Sequence, residues 1–330
     1  MSVEDIRPKK SLKGQRHALL SDVRALLRGK GSFVRVACPA CGSTHNTPMY
    51  QKRGFAYVCC KKCRTIYTNP RPTESQLGEF YKHSKTYSYW SKHIFPASEA
   101  ARRKKIFAPR VNKVLELCKA HHIRPTALLE VGCAFGTFCV ELAARNAFKE
   151  IVGIEPAPDL AEISRARGIE VVEQTIEKTH FPQQKKFDVV VNFEVLEHLF
   201  SPVEFLRACR RFLMPGGLMV LTCPNGEGFD VSVLGTASDT IDHEHVNYFN
   251  PDSVRILFKR AGFRVLEVST PGKLDADLVR AKILDGSFKL SEQPFLERIL
   301  IREWDRLGGP FQQFLSENTL SSHMWVVATV

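Results

Sequence analysis

The second half of the chain alternates between short apolar runs and amphipathic segments, and this alternation limits the folds that the sequence can adopt. From Thr126 onward the apolar runs have the length of buried strands, and the segments between them have helical spacing. Such alternation favours a mainly parallel sheet with helices on both faces. The predicted strands are 127–131, 151–154, 170–172, 187–191, 218–222, 264–268 and 324–329. The predicted helices are 137–145, 159–166, 203–212 and 251–261.

Two stretches interrupt this alternation, at 225–250 and 271–322. In α/β enzymes, function depends on the loops that are grafted onto the sheet, so we expect these insertions to build the substrate side. The tail is predicted to form a helical cover, followed by an edge strand of the sheet at 324–329. The α/β domain as a whole is predicted to span 125–330.

The first 124 residues divide into three segments. Residues 1–35 form a basic tail with an amphipathic helix at 17–28, residues 36–72 carry cysteines, and residues 73–124 form an aromatic and basic connector with a helix from about 100 to 121. The net charge of the chain is +12, and its basic excess lies in these segments. A basic surface attracts phosphorylated ligands, nucleic acid or anionic membranes, or it is simply a solvated face.

Four of the ten cysteines form two C-x2-C pairs, Cys38/Cys41 and Cys60/Cys63, with 18 residues between the pairs. Pairs at this spacing are typical of a structural zinc site, in which four thiolates close a tetrahedral shell. Cys59 is a spare that could replace Cys60. The sequence therefore predicts a zinc ribbon at 36–72 that stabilises the protein and leaves no open metal position for catalysis.

Residues 1–10 are charged and are not followed by an apolar stretch, so we expect no signal peptide. No run of about 18 apolar residues occurs, so we expect no transmembrane helix. We expect a cytoplasmic protein, in which cysteines stay reduced or bind metal.

A glycine-containing turn follows the first predicted strand of the α/β domain, in Leu-Leu-Glu-Val-Gly-Cys-Ala-Phe-Gly at 128–136. Small residues at such a turn let the backbone pass close to a ligand at the helix N-terminus. Glu155 ends the next predicted strand, where a carboxylate can accept hydrogen bonds from both hydroxyls of a ribose. In this order, the two features predict a nucleoside cofactor.

These motifs resemble those of the class I S-adenosylmethionine-dependent methyltransferases, whose E/D-x-G-x-G-x-G loop has a glycine where this chain has Ala134. Residues 187–198 resemble the fourth-strand motif of that family, and 212–221 resemble its Leu-x-Pro-Gly-Gly turn. The resemblance implies a Rossmann-like seven-stranded sheet that binds S-adenosylmethionine. It places the cofactor at Glu130, Gly132, Ala134, Gly136, Glu155 and Asn192. The adenine contact stays open among Glu173, Gln174 and Thr175.

The N-terminal part resembles zinc-ribbon methyltransferases of bacterial sugar and surface-polysaccharide pathways. Those proteins carry a cysteine ribbon, an Asn-Pro-Arg-Pro segment and a Phe-Tyr-rich stretch, which are here Cys38–Cys63, 69–72 and 80–81. The resemblance implies that the substrate is a sugar, a nucleotide-linked sugar, or a related small molecule or glycan.

Methyl transfer needs a nucleophile in line with the methyl group, and often a base that takes its proton. The segment Asp-His-Glu-His at 242–245, followed by Asn-Tyr-Phe, is similar to a segment of deoxysugar C-methyltransferases in which a Glu/His pair is the base. The resemblance implies that Glu244 and His245 are the base and that Tyr248 shapes the pocket. His243 and His198 are further catalytic candidates. A polar loop with hydrogen-bonded histidines is the alternative.

A second cluster, Glu194-x-x-Glu197-His198, would share one face if a helix began there. Such a face can bind a divalent metal, which His245 could complete. The pattern resembles the metal site of small-RNA 3′-terminal 2′-O-methyltransferases.

Three functions follow from these patterns. The first is a methyltransferase for a sugar, nucleotide-sugar or related glycan. The second is a metal-assisted RNA 2′-O-methyltransferase, which would bind RNA in a salt-sensitive way. The third is a catalytically silent binding protein that retains the fold. The acceptor atom and the oligomeric state stay open.

Overall fold

The computed structural model describes residues 12–182 and 185–330, so the predicted basic tail lies partly outside the described residues. The described part contains eleven strands in two sheets. They are β1 (Asn46–Lys52), β2 (Phe55–Cys60), β3 (Ile66–Thr68), β4 (Ala127–Val131), β5 (Glu150–Ile154), β6 (Glu170–Val172), β7 (Phe187–Phe193), β8 (Leu213–Pro224), β9 (Asn247–Tyr248), β10 (Arg264–Ser269) and β11 (His323–Thr329).

The helices connect and cover these strands. They are α1 (Leu12–Arg28), α2 (Glu74–His83), α3 (Lys85–Tyr89), α4 (Phe95–Arg102), α5 (Ala108–Ala120), α6 (Thr137–Ala143), α7 (Pro158–Ala166), α8 (Pro202–Phe212), α9 (Phe229–Leu234), α10 (Pro251–Arg260), α11 (Asp275–Leu284), α12 (Pro294–Glu297) and α13 (Trp304–Glu317). Short π-helical turns at Trp90–Ile94 and Arg103–Phe107 join α3, α4 and α5 into one long irregular helix. The predicted connector helix at 100–121 is the second half of it.

The larger sheet has seven strands in the order β10-β11-β8-β7-β4-β5-β6. Strands β4 to β8 run parallel to one another, and β11 is antiparallel to both β8 and β10. Apolar side chains of α8 and α10 pack in one core cluster, while those of α5 and α6 pack in another. This arrangement confirms the predicted Rossmann-like sheet.

The final strand is not at the edge of the sheet, and this prediction was wrong. β11 lies between β8 and β10, and the edges are β10 and β6. Val326, Val327 and Ala328 are all completely buried. A run that is apolar at consecutive positions is typical of a strand covered on both faces, so the sequence already contained the signal for an inner strand.

The smaller sheet has the order β1-β2-β3-β9, and it joins distant parts of the chain. Strands β1 to β3 belong to the cysteine-bearing segment, whereas β9 comes from the insertion after β8. Ile66 pairs with Tyr248, and Tyr67 pairs with Asn247. The backbone N–H of Thr68 also donates to the carbonyl of Val246, 3.0 Å away. The cysteine-bearing segment is therefore continuous, by strand pairing, with an insertion of the α/β domain.

The insertion at 271–322 forms α11 to α13, whose apolar side chains pack in one cluster with those of α9. No helix in the described ranges is both long and apolar enough to cross a membrane.

Candidate active site

The turn after β4 needs residues that tolerate left-handed backbone angles. Gly132, Ala134 and Gly136 have φ values of 79°, 47° and 66°. A Cβ atom added at Gly132 would lie 2.6 Å from the Val195 side chain, and one at Gly136 would lie 2.9 Å from the Ser164 hydroxyl. These glycines allow close packing of the turn, while Ala134 adopts a conformation that costs alanine more than glycine.

Glu155 follows β5 directly and holds this turn in place. Its carboxylate accepts backbone hydrogen bonds from Ala134 and Ala157, each at 2.9 Å. Burial raises the pKa of Glu155, although these two hydrogen bonds act in the opposite direction. Each carboxylate oxygen can accept a further hydrogen bond, so the group can still bind the two hydroxyls of a ribose.

Asn192 and Glu130 lie on the neighbouring strands β7 and β4. The Asn192 amide donates to the Val131 carbonyl at 2.7 Å, and its Oδ1 atom is buried without a hydrogen-bond partner among the described residues. Glu130 accepts a hydrogen bond from the Cys139 thiol at 2.9 Å, and burial raises its pKa to about 8. A buried acceptor without a partner is costly, so Asn192 fits a ligand that supplies a donor.

The adenine candidates lie after β6. Glu173 forms an ion pair with Arg165 at 2.9 Å, and Gln174 and Thr175 are exposed. The connector covers the glycine turn from another side, since the Phe95 ring stacks on the Phe135 ring with 3.8 Å between their centroids.

His198 and His245, which we call the histidine pair, come together from two loops. His198 ends a 3-10 turn after β7, and His245 lies two residues before β9. Their ring centroids are 4.7 Å apart. His198 Nδ1 lies 3.1 Å from the Glu244 carbonyl, and His245 Nδ1 lies 2.9 Å from the Thr240 carbonyl. A carbonyl only accepts, so each Nδ1 carries the proton and each Nε2 is the basic nitrogen.

Burial sets the protonation of this cluster. It lowers the pKa of both histidines, so both are neutral at neutral pH. Burial also raises the pKa of Glu244 to about 7. The Glu244 carboxylate lies 3.8 Å from Nε2 of His243. The two loops thus bring together two neutral imidazoles and a carboxyl group whose pKa is close to neutral pH.

His243 has a different environment from the histidine pair. Its side chain is fully buried, and its Nδ1 lies 2.7 Å from Asp242 Oδ1. Its ring packs against the rings of Phe55 and Phe80. Burial opposes ionisation of Asp242, but the contacts with His243 and Arg53 hold its pKa well below the usual range. These contacts hold the loop at 242–245 in place.

Tyr248 is also fully buried beside the histidine pair. Its hydroxyl bonds to the backbone N–H and carbonyl of Asp242, and its ring packs edge-on against His245 and Tyr57. Sequence reasoning gave no role to Tyr81, whose hydroxyl lies 3.1 Å from His198 Nδ1 and 3.1 Å from the Glu244 carbonyl. The aromatic stretch after the ribbon was the signal for it.

The predicted helical face with Glu194, Glu197 and His198 does not form. Glu194 has a φ of 57°, and only a three-residue 3-10 turn follows it. The left-handed residue turns the Glu194 carboxylate away, toward Thr222 at 2.5 Å and Arg110 at 3.3 Å. These contacts with β8 and α5 stabilise the left-handed conformation, and no helix begins at Glu194.

Glu197, His198 and His245 instead place one ligand atom each within 4.8 Å of one another. Both carboxylate oxygens of Glu197 are buried without a hydrogen-bond partner among the described residues. These three side chains are the donors that could hold a divalent ion here.

The four predicted zinc ligands are brought together. The sulfur atoms of Cys38, Cys41, Cys60 and Cys63 all lie within 4.8 Å of one another. The Cys38–Cys63 and Cys41–Cys60 distances are both 3.5 Å. Four thiolates at the usual Zn–S length of about 2.3 Å are separated by roughly 3.8 Å, so the donor set fits a zinc ion. Cys59 lies outside this group.

The geometry defines a Rossmann-like domain with a nucleoside-type turn beside a polar cluster, and the comparisons with known proteins agree with it. A family model described as a methyltransferase domain matches residues 100–268, just over half of the chain. The chain belongs to this methyltransferase-domain family.

Curated relatives and solved structures are also similar to parts of this chain. The ubiquinone biosynthesis O-methyltransferase of Cereibacter sphaeroides (strain ATCC 17025 / ATH 2.4.3) is 30% identical over 147 residues, which cover 41% of this chain and 59% of that protein. That of Roseobacter denitrificans is 28% identical, covering 44% and 63%. An S-adenosylmethionine-dependent methyltransferase structure from Clostridium acetobutylicum has a TM-score of 0.47 at 9% identity, covering 74% of this chain and 98% of its own.

The left-handed conformation of Ala134 leads to a paired prediction. Ala134→Gly removes a cost of about 1–2 kcal/mol and adds an unfolded-state entropy cost of about 0.4–1 kcal/mol, so we expect it to be neutral or slightly stabilising. Ala134→Val should destabilise the protein by about 1–3 kcal/mol because a β-branched residue tolerates this φ poorly. Denaturant unfolding of both variants measures these changes. A destabilised glycine variant beside an unchanged valine variant would contradict the turn geometry.

Proposed function

We propose that this protein is an S-adenosylmethionine-dependent methyltransferase that acts on a sugar, a nucleotide-sugar or a related small molecule or glycan. The observation that carries the proposal is the position of two groups of residues, the glycine turn that would bind the cofactor and the histidine pair that would face the acceptor. β4 and β7 are parallel neighbours, and the glycine turn and His198 both follow their carboxyl ends. Ligands of open α/β sheets bind at this edge.

The cofactor half is the glycine turn with Glu155 and Asn192. When bound there, S-adenosylmethionine would supply the sulfonium methyl group. Glu155 would accept the ribose hydroxyls, and Asn192 Oδ1 would accept a hydrogen bond from the amino-acid part of the ligand. Gly132, Ala134 and Gly136 let the backbone approach it, and Glu130 lies buried beneath the turn.

The acceptor half is the cluster of Glu244 and the histidine pair. Glu244 or a neutral imidazole of the histidine pair would take the proton of the acceptor atom as that atom receives the methyl group, with S-adenosylhomocysteine as the leaving group. Glu244 suits the role of base because its carboxylate accepts no hydrogen bond from any described residue and its pKa of about 7 is close to the working pH. Tyr81 would fix the tautomer and orientation of His198.

The chemical class of the acceptor is the part of the proposed function that the sequence and the structure constrain least. The basic segments before residue 125 suit an anionic substrate such as a nucleotide-linked sugar. The relatives named as ubiquinone biosynthesis O-methyltransferases favour a hydroxyl group as the acceptor. A screen should therefore begin with nucleotide sugars and continue with other hydroxylated small molecules.

The cluster of Glu197, His198 and His245 favours a second candidate function, metal-assisted methylation of an RNA 2′-hydroxyl. Two imidazoles and a carboxylate suit Mn²⁺, Co²⁺ or Zn²⁺ and leave coordination positions open for an acceptor oxygen. This function requires RNA binding that weakens with salt and turnover that depends on added divalent ion. Cofactor binding without turnover on any acceptor would favour the third candidate, a silent binding protein.

We also propose that the four-cysteine cluster binds one structural zinc ion. Purified protein should contain one zinc per chain by metal analysis. Cys38→Ser and Cys60→Ser should lose the metal and lower the melting temperature, because a structural zinc contributes directly to folding. Cys59→Ser is the matched control and should keep both. Full zinc content in Cys60→Ser, or its loss in Cys59→Ser, would contradict the ligand assignment.

The base assignment predicts a separation of binding and turnover. Glu244→Gln and His245→Ala should each lower kcat by about 10²–10⁴-fold, the usual contribution of a general base. Their affinity for S-adenosylmethionine, measured by calorimetry, should stay within about threefold. The matched control is Glu162→Gln, an exposed position on α7. Wild-type kcat in both loop variants would remove these residues from catalysis.

A further inference from the structure

Arg71 is a buried cation that has no acidic partner in the described part of the chain. It lies in the Asn-Pro-Arg-Pro segment that follows β3, and its side chain is only 1% exposed. Burial lowers the pKa of its guanidinium to about 10, which leaves it charged at neutral pH. An unpaired buried charge is costly, so its position calls for a specific reason.

The guanidinium donates hydrogen bonds to neutral oxygens only. Nε contacts the Thr68 carbonyl at 3.2 Å, and Nη1 contacts the Phe200 carbonyl at 3.2 Å. Nη2 contacts the Val246 carbonyl at 3.3 Å and Asn247 Oδ1 at 3.0 Å. Its flat face also lies 6.0 Å from the Phe200 ring centroid. One planar group thus links three separate segments of the chain.

Two of these segments carry the histidine pair. Phe200 comes two residues after His198, and Val246 directly follows His245. Thr68 belongs to β3 of the cysteine-bearing segment. Arg71 therefore ties both histidine-bearing loops to that segment.

Asn247 extends this link on the side of His198. Its amide nitrogen donates to the Leu199 carbonyl at 2.8 Å, while its Oδ1 accepts from Arg71. The same amide nitrogen lies 3.4 Å from the Glu197 carbonyl, so Asn247, which Arg71 holds through Oδ1, contacts the chain on both sides of His198. A lysine could supply the charge but not this fixed fork of donors.

We propose that Arg71 is a positioning residue for methyl transfer: it sets the separation of His198 and His245 by bonding to both of their loops, and it does not touch the reacting atoms. This inference rests on the proposed function. Misplacement of a catalytic group by about 1 Å costs on the order of 10²-fold in rate, which gives the size of the expected effect.

The test compares Arg71→Met and Arg71→Lys with Arg64→Met. Arg64 is the matched control because it also joins the cysteine-bearing segment to the α/β domain, through Glu227 and Asp252, but on the exposed surface. We expect Arg71→Met to lower kcat by about 10²-fold, with S-adenosylmethionine affinity and zinc content unchanged. Arg71→Lys should recover part of kcat, and Arg64→Met should resemble wild type.

A second readout does not require turnover. The imidazole NMR resonances of His198 and His245, assigned with His198→Gln and His245→Gln, should shift in Arg71→Lys and stay in place in Arg64→Met. If the wild type methylates no acceptor, the proposed function fails, and these resonances still decide the role of Arg71. If Arg71→Met does not fold, Arg71→Lys decides it.

Two results would overturn the inference. The first is wild-type kcat and unshifted imidazole resonances in Arg71→Lys, together with wild-type kcat in any folded Arg71→Met. The second is an equal loss of kcat in Arg64→Met, which would mean that general loosening of the cysteine-bearing segment, and not Arg71, misplaces the histidines.

Discussion

The pairing of β3 with β9 joins two parts of the chain that are about 180 residues apart in sequence, and the proposed acceptor side of the site depends on it. Through this pairing, the insertion that carries Glu244 and His245 becomes the fourth strand of the cysteine-bearing sheet. Further contacts reinforce the junction, because the Asn250 amide donates to the Cys63 carbonyl, and Arg260 donates to the carbonyls of Pro39 and Ala40. A metal bound by the cysteines would therefore stabilise the loop as well as the ribbon.

The cofactor half could be predicted from sequence because its determinants are local. The glycine turn, the carboxylate after β5 and the strand alternation all lie within one βαβ unit, where spacing fixes geometry. The four cysteines were predicted for the same reason, since two C-x2-C pairs place their thiolates on two tight turns. The mainly parallel sheet was predicted too, but β11 was wrongly placed at an edge because its position depends on pairing with strands far away in sequence.

The geometry of the proposed acceptor half could be predicted only in part, because contacts between residues far apart in sequence determine it. Sequence reasoning named the histidine-rich loop, but a helical pattern suggested that Glu194 belongs with Glu197. Glu194 instead has a left-handed backbone conformation and contacts Thr222 and Arg110, and His245 takes its place in the cluster. Tyr81 contacts His198 from 117 residues away in sequence, and Arg71 contacts Phe200 of the same loop from 129 residues away. No local sequence pattern reveals such contacts.

Calorimetric titration of zinc-loaded protein with S-adenosylmethionine tests whether the turn at 132–136 and Glu155 form a cofactor site. We expect one site per chain with micromolar affinity, and at least a tenfold loss of affinity in Glu155→Ala, because this variant lacks the acceptor for two ribose hydroxyls. If folded, zinc-loaded wild-type protein gives no heat of binding, or if Glu155→Ala binds with equal affinity, the turn and Glu155 do not form this site.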